Sequence, residues 1–211
     1  MKRTVTRGKL ITFEGIDGSG KSTHLERSRR FLIKHGFKVK VLREPGSTDI
    51  AEQIRKLLLD KKSRMTSTTE LLLYEAARAE ITARQIIPLL KSGQIVLCDR
   101  FYDSTTAYQG YGRKLDIDMV SGLNKLAVGS LKPDLTLLFD VELPVAMKRL
   151  GRNLDRLESE SRAFFSRVRN GFLCIAATEP RRVKVIESSG DVDEVFAHVR
   201  RHLVRQFGLS V

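Results

Sequence analysis

Acidic residues are in short supply in this chain: 25 Asp and Glu face 38 Lys and Arg, for a formal charge of +13. Cysteine is scarcer. Cys98 and Cys174 are the only two, and neither lies in a C-x-x-C pattern or a Cys/His cluster, which excludes a disulfide framework and a zinc site. Cys98 sits inside an apolar run and reads as a small buried thiol. No apolar run approaches the length of a bilayer span, and the basic N-terminus is not followed by the apolar segment of a secretion signal. The expectation is a cytoplasmic protein with no membrane partner. No repeat, low-complexity stretch or linker interrupts the 211 residues, so a single domain over 1–211 is expected.

With 41% hydrophobic and 30% charged residues, the composition is that of an ordinary globular chain. The basic excess has two readings. A nucleic-acid binder gathers its charge on one face, whereas an enzyme of phosphorylated substrates spends some inside a cleft and scatters the rest. Here Lys and Arg are spread along the chain, denser only at 149–169 and 198–205, which favours the enzyme and no specific nucleic-acid partner.

The strongest local signal is Gly15-Ile16-Asp17-Gly18-Ser19-Gly20-Lys21-Ser22, which fills every fixed position of G-x-x-x-x-G-K-[ST]. It follows an apolar run, Lys9 to Phe13, and precedes a helical pattern from Thr23 to His35. Strand, glycine loop and helix together make a phosphate cradle: backbone N–H groups and the helix N-terminus face an anion. The segment Gly15 to Thr23 is therefore read as a loop that binds a nucleoside triphosphate. In it Lys21 reaches the β- and γ-phosphates and Ser22 ligates Mg²⁺.

Further strands are read at Lys38–Leu42, Gln94–Cys98, Leu135–Val141 and Val183–Ile186. Helices are read at Ile50–Leu59, from Thr68 or Thr69 as cap through Leu90, from Pro144, at Arg162–Ala177 and at Val192–Phe207. Asp116 or Asp118 caps a helix between Asp103 and Gly129. This alternation predicts an α/β fold, three layers with a five-stranded, mostly parallel sheet. Ligands in such sheets sit beyond the C-terminal strand ends, where Asp17, Arg43-Glu44 and Asp99-Arg100 fall. Asp99 follows four apolar residues and suits a Mg²⁺ carboxylate. For Asp17 two roles are open: a water-bridged metal or a substrate hydroxyl. His198 and His202 are four apart on a helix, but Val199, Arg200 and Arg201 mark a solvated face and not a metal site.

A GTPase would carry Asn-Lys-x-Asp, and the only Asn-Lys, Asn124-Lys125, continues Leu126-Ala127 in helical sequence. An arginine-rich passage at about 148–160 instead suits a short mobile lid that closes over ATP. The blocks Ile11-Thr-Phe-Glu-Gly15, Arg43-Glu-Pro-Gly46, Glu52-Gln-Ile-Arg55, Leu71–Arg78, Val96–Ser104, Ala107-Tyr-Gln-Gly110, Pro133–Thr136 and Leu154–Glu158 complete the pattern. In this order and spacing the chain resembles the bacterial thymidylate kinases, from about Leu10 to the last helix.

The resemblance makes the triphosphate at Gly15 to Thr23 ATP and implies a P-loop nucleoside monophosphate kinase that transfers the γ-phosphoryl group of ATP to dTMP with Mg²⁺, commonly as a homodimer. It implies Tyr74 stacked on thymine, Arg78 hydrogen-bonded to it, and Arg55 and Arg100 on the monophosphate. Thr105 and Gln109 would lie near the base, Tyr108 near the sugar, and Glu44 near the acceptor. Lys21, Asp17, Arg100 and a lid arginine form the implied catalytic set. That arginine is either Arg149 or Arg152, while Arg156 aligns better yet suits a structural part. Ser47 and Phe101 depart from the usual Gly and Tyr. The alternatives are another nucleotide or deoxynucleoside kinase on this scaffold, with Glu44 as base, and an ATP-switched basic nucleic-acid-binding protein.

Overall fold

The computed structural model of the chain describes residues 7–151 and 154–209. Five strands form one sheet: β1 (Leu10–Glu14), β2 (Val39–Arg43), β3 (Ile95–Asp99), β4 (Leu135–Asp140) and β5 (Val183–Glu187). Their order is β2-β3-β1-β4-β5, and all four pairings are parallel. The phosphate loop thus leaves the central strand, with strand ends on both sides of it.

Alternation along β1 sorts its side chains between the two faces. Ile11 and Phe13 join Leu25 and Leu32 of α1 (Lys21–Lys34) and Val195, Val199 and Leu203 of α9 (Val192–Phe207) in one core. Leu10 points to the opposite face, against Ile81, Ile86 and Leu90. There α2 (Asp49–Leu59), α3 (Ser67–Ile81), α4 (Ile87–Lys91), α5 (Tyr102–Thr105) and α6 (Ile117–Val128) precede α7 (Leu143–Arg149) and α8 (Arg162–Thr178) in sequence. Phe164, Phe165, Val168 and Phe172 of α8 meet Leu138 of β4 in a further buried cluster. Helix layers cover both faces, as a parallel sheet requires.

Most element ends fall within one residue of expectation, but two corrections matter. The cap of α3 is Thr66, whose Oγ1 accepts from Thr69 N at 3.2 Å; neither Thr68 nor Thr69 caps it. Nor is 67–91 one continuous α-helix. Residues Thr82–Ile86 form a π turn, in which Ile87 N donates to Thr82 O. Pro88 explains the break, because it has no N–H for a bond one turn back and re-enters at the first turn of α4. A second π segment, Thr106–Gly112, follows α5. Of the two candidate caps for α6, Asp116 holds the position, accepting from Met119 N at 2.7 Å.

Candidate active site

Gly15 has φ 137°, and a Cβ there would lie 2.4 Å from the Phe139 carbonyl oxygen, so only glycine fits where the loop crosses β4. Lys21 folds back on the loop, donating to Gly15 O at 3.0 Å and Ile16 O at 2.8 Å. Burial, with Arg100 close by, depresses its ammonium to about 8 against the opposing pull of Asp17, Asp99 and Glu14. Ser22 Oγ donates to Asp99 Oδ2 at 3.2 Å, and Asp99 Oδ1 is buried without a partner. Gly18, Gly20, Lys21, Ser22 and Thr23 line one cleft with Asp99, Arg149 and Glu158. Ile16 packs into the core, and Ser19 is buried behind the loop with its hydroxyl unpartnered.

Arg100, one residue past β3, has φ 69° and sits where Asp17 can take it. Its Nη2 donates to Asp17 Oδ1 at 2.6 Å and to the Tyr108 hydroxyl, and its Nη1 donates to Gly15 O and Ser104 Oγ. The Tyr108 hydroxyl in turn donates to Asp17 Oδ2 at 2.9 Å. Burial would raise the Asp17 carboxyl, but Arg100, Lys21 and these hydrogen bonds hold it near 2. Asp17 is therefore tied to Arg100 and Tyr108, and it lines the same cleft as the Ser22–Asp99 pair.

A second, narrower cleft is lined by Tyr74, Arg78, Arg55, Thr105, Tyr108 and Gln109, together with Pro45, Leu59, Asp155 and Leu157. All of the acceptor-side residues named from sequence come together here. Asp17, Glu44, Arg55 and Arg100 line both clefts, so the two adjoin at those four side chains. Arg55 is steadied by donating to Pro45 O at 3.0 Å. Gln109 donates to Glu70, which also takes Arg113 and Arg156. The Thr105 hydroxyl is buried and unpartnered at the cleft.

Arg78 differs most from the simple reading. Its side chain is only 2% exposed, held between Glu44 at 2.8 Å and Glu75 at 2.5 Å. Burial raises the Glu44 carboxyl to about 7, despite Arg78, and Glu75 adds to the rise; Glu44 Oε1 is left buried and unpartnered.

In the lid region, Arg149 caps the loop from outside, donating to Ser188 O at 2.9 Å and reaching Gly18 O at 3.4 Å. Arg156 donates to Leu58 O and pairs with Glu70 at 2.7 Å, which makes it a strut between lid and α2–α3. Arg152 lies outside the described residues.

Sequence reasoning missed Glu14, Glu75, Asn124 and Asp155. Glu14 is buried beneath the site, accepting from Phe101 N at 2.7 Å and Ser104 Oγ at 2.5 Å, and burial beside Asp103 raises its carboxyl. Its signal was visible: an acid at the end of an apolar strand, next to Gly15. Glu75 and Asn124 carried no such signal on their helices.

The donors around Ser22 fit a magnesium ion. Mg²⁺ takes few protein oxygens and keeps water and phosphate as its other ligands, and here a hydroxyl and a carboxylate with one orphaned oxygen stand together. No cluster of three or more His, Cys, Asp or Glu is found among the described residues, so a cage made by the protein alone is not what they offer.

The thymidylate kinase family model matches residues 13–199. The thymidylate kinase of Geobacter sulfurreducens is 48% identical over 195 residues, covering 88% of this chain and 92% of that one. That of Kosmotoga olearia is 46% identical over 192 residues, covering 90% and 92%. A crystal structure of thymidylate kinase from Ehrlichia chaffeensis superposes with a TM-score of 0.77 at 38% identity, covering 93% of this chain and 98% of that one. With a family match over nearly its whole length, and with a loop, strand ends and two joined clefts that suit phosphoryl transfer, the chain belongs to the thymidylate kinase family.

Proposed function

We propose that the two joined clefts bind Mg-ATP and dTMP end to end and pass the γ-phosphoryl group between them, giving ADP and dTDP. The observation that carries this is the shared set Asp17, Glu44, Arg55 and Arg100, where the phosphate-loop cleft meets the narrower one. Phosphoryl transfer needs alignment and charge neutralisation more than covalent help. The acceptor is already an ionised phosphate, so no general base is assigned.

In this reading the loop N–H groups and Lys21 hold the triphosphate, whose charge restores the ammonium that burial depresses. Ser22 and Asp99 would hold Mg²⁺, which would supply charge neutralisation to the phosphates when bound. Arg100 and Arg55 fork onto the dTMP phosphate, and Asp17 with Tyr108 keeps Arg100 aimed. Tyr74 stacks on the base, and Thr105 and Gln109 stand beside it. Arg149 is the lid-side cation among the described residues that lines the phosphate cleft. The active unit is a homodimer, as the resemblance implies.

The test is ADP release with Mg-ATP and dTMP, dUMP, dCMP, dGMP, AMP or thymidine offered singly. The expected result is strong turnover on dTMP. In Tyr74→Leu, KM for dTMP should rise about 10- to 100-fold, the worth of one base–aromatic stack, with KM for ATP unchanged. Turnover on thymidine in place of dTMP would overturn the reading and make Glu44 a base. Arg78→Ala is a poorer probe, because it leaves two buried carboxylates, Glu44 and Glu75, without their cation.

A further inference from the structure

The amide of Asn124, on α6, bridges Arg78, which lines the narrower cleft, and Thr106. Its Oδ1 accepts from Arg78 Nη1 at 3.0 Å, and its Nδ2 donates to Thr106 Oγ1 at 3.1 Å. The orientation is fixed by chemistry. A guanidinium only donates, so the amide oxygen must face Arg78 and the NH₂ must face Thr106. The Thr106 hydroxyl passes its own hydrogen to Tyr102 O at 3.2 Å, which completes a one-way chain of donors. Thr106 opens the π segment that carries Tyr108 and Gln109, so the amide ties Arg78 to the element that supplies those two lining residues. Asn124 is buried, and no other part is assigned to it.

Arg78 has five N–H groups. Nε is taken by Glu44, the two on Nη1 by Glu75 and Asn124, and one on Nη2 by Phe101 O at 3.3 Å. One Nη2 hydrogen is left over on a side chain that lines the cleft. We propose that Asn124 is a positioning residue that sets base selectivity: it locks the Arg78 guanidinium so that one remaining N–H is offered to a base carbonyl. A pyrimidine with a keto oxygen there gains a charge-assisted bond, whereas one with an amino group sets donor against donor. Without the amide, Nη1 has a free hydrogen and the guanidinium can turn to suit other bases. The inference rests on the reading of the narrower cleft as the dTMP subsite.

The test compares the full-length chain with Asn124→Leu, which is close in size and loses both bonds, and with Thr106→Val, which loses only the far one. For each, kcat and KM are measured with dTMP, dUMP and dCMP, along with KM for ATP and the melting temperature. The expected result for Asn124→Leu is a rise of about tenfold in KM for dTMP and dUMP, the worth of one charged hydrogen bond. Its kcat should stay within about threefold and KM for ATP should not change, and its preference for dTMP over dCMP should fall by about tenfold. Thr106→Val should move the same quantities in the same direction by less. If Asn124→Leu folds and keeps its preference for dTMP over dCMP, or if KM for ATP rises in step, the proposal is overturned. If Asn124→Leu does not fold, Thr106→Val decides: unchanged selectivity there overturns it. Failure of the unaltered chain to use dTMP at all would instead overturn the subsite reading beneath it.

Discussion

His24 lies one turn into α1 from the phosphate loop, its ring stacked between Phe139 at 5.3 Å and Phe196 at 6.3 Å. Its Nδ1 is buried without a partner. Burial, with Arg27 and Arg149 adding to it, lowers its pKa to about 4. The consequence for stability has a definite sign. An unfolded histidine binds its proton near pH 6.5, so between about 6.5 and 4 the unfolded chain holds more protons than the folded one. Stability contributed by the neutral ring is therefore present above pH 6.5 and is lost as pH falls toward 4, by at most about 3 kcal/mol. His24→Phe keeps the stack and removes the orphaned nitrogen. Urea midpoints measured from pH 7 to 4.5 should fall less steeply for His24→Phe than for the unaltered chain, with near equality at pH 7. Parallel curves would show that His24 does not titrate on unfolding. The phosphate loop itself was legible because its meaning lies in fixed residue types at fixed spacing. Glu44, Arg78 and Asn124 were not legible as a hydrogen-bonded group, because their bonds cross 34 and 46 positions and only the fold brings them together.

At the scale of elements, the walls of the narrower cleft depend on how closely α8 packs on the π segment Thr106–Gly112. Gly171 of α8 makes that approach possible: a Cβ there would lie 2.7 Å from the Tyr111 ring. Tyr111 is two residues from Gln109 and three from Tyr108, so relief of that clash must shift cleft residues or the helix. Gly171→Ala is expected to cost about 1–3 kcal/mol of stability, as overpacking does. It should also raise KM for dTMP while leaving KM for ATP near its starting value. Melting curves and the two KM values check this, and a change in KM for ATP alone would contradict it. The five strands and the final helix were read from sequence to within about a residue, because alternation and apolar runs are strong signals. The π turns were not. Each widens a helical turn through i→i−5 bonding, as where Arg113 N meets Tyr108 O at 2.9 Å, and no residue pattern announces that. Yet the second π turn carries Tyr108 and Gln109, so the least legible element holds part of the site.

Across the whole molecule, internal ion pairs consume one acid for each base, so the formal excess of +13 remains after them. Arg78, Arg100, Arg113, Arg156, Arg169 and Arg182 each pair with a carboxylate of the chain. No helix among the described residues is long and apolar enough to cross a membrane. Apolar side chains nonetheless remain exposed on α2, α3 and α6, which pack in series: Leu57 is 54% exposed, Leu72 50% and Leu126 80%. Large exposed leucines on adjoining helices suit an isologous contact with a second copy. These helices also support the narrower cleft, because α3 contributes Tyr74 and Arg78 to it and Asn124 of α6 holds Arg78. Pairing there would brace the base subsite from outside. Light scattering on the eluted protein should give the mass of two chains, and Leu72→Lys combined with Leu126→Lys should reduce it to one. The same double variant should lower affinity for dTMP more than for ATP, because the bracing is lost on one side of the joined clefts. A monomeric unaltered chain, or a double variant that stays dimeric, would place the contact elsewhere or remove it.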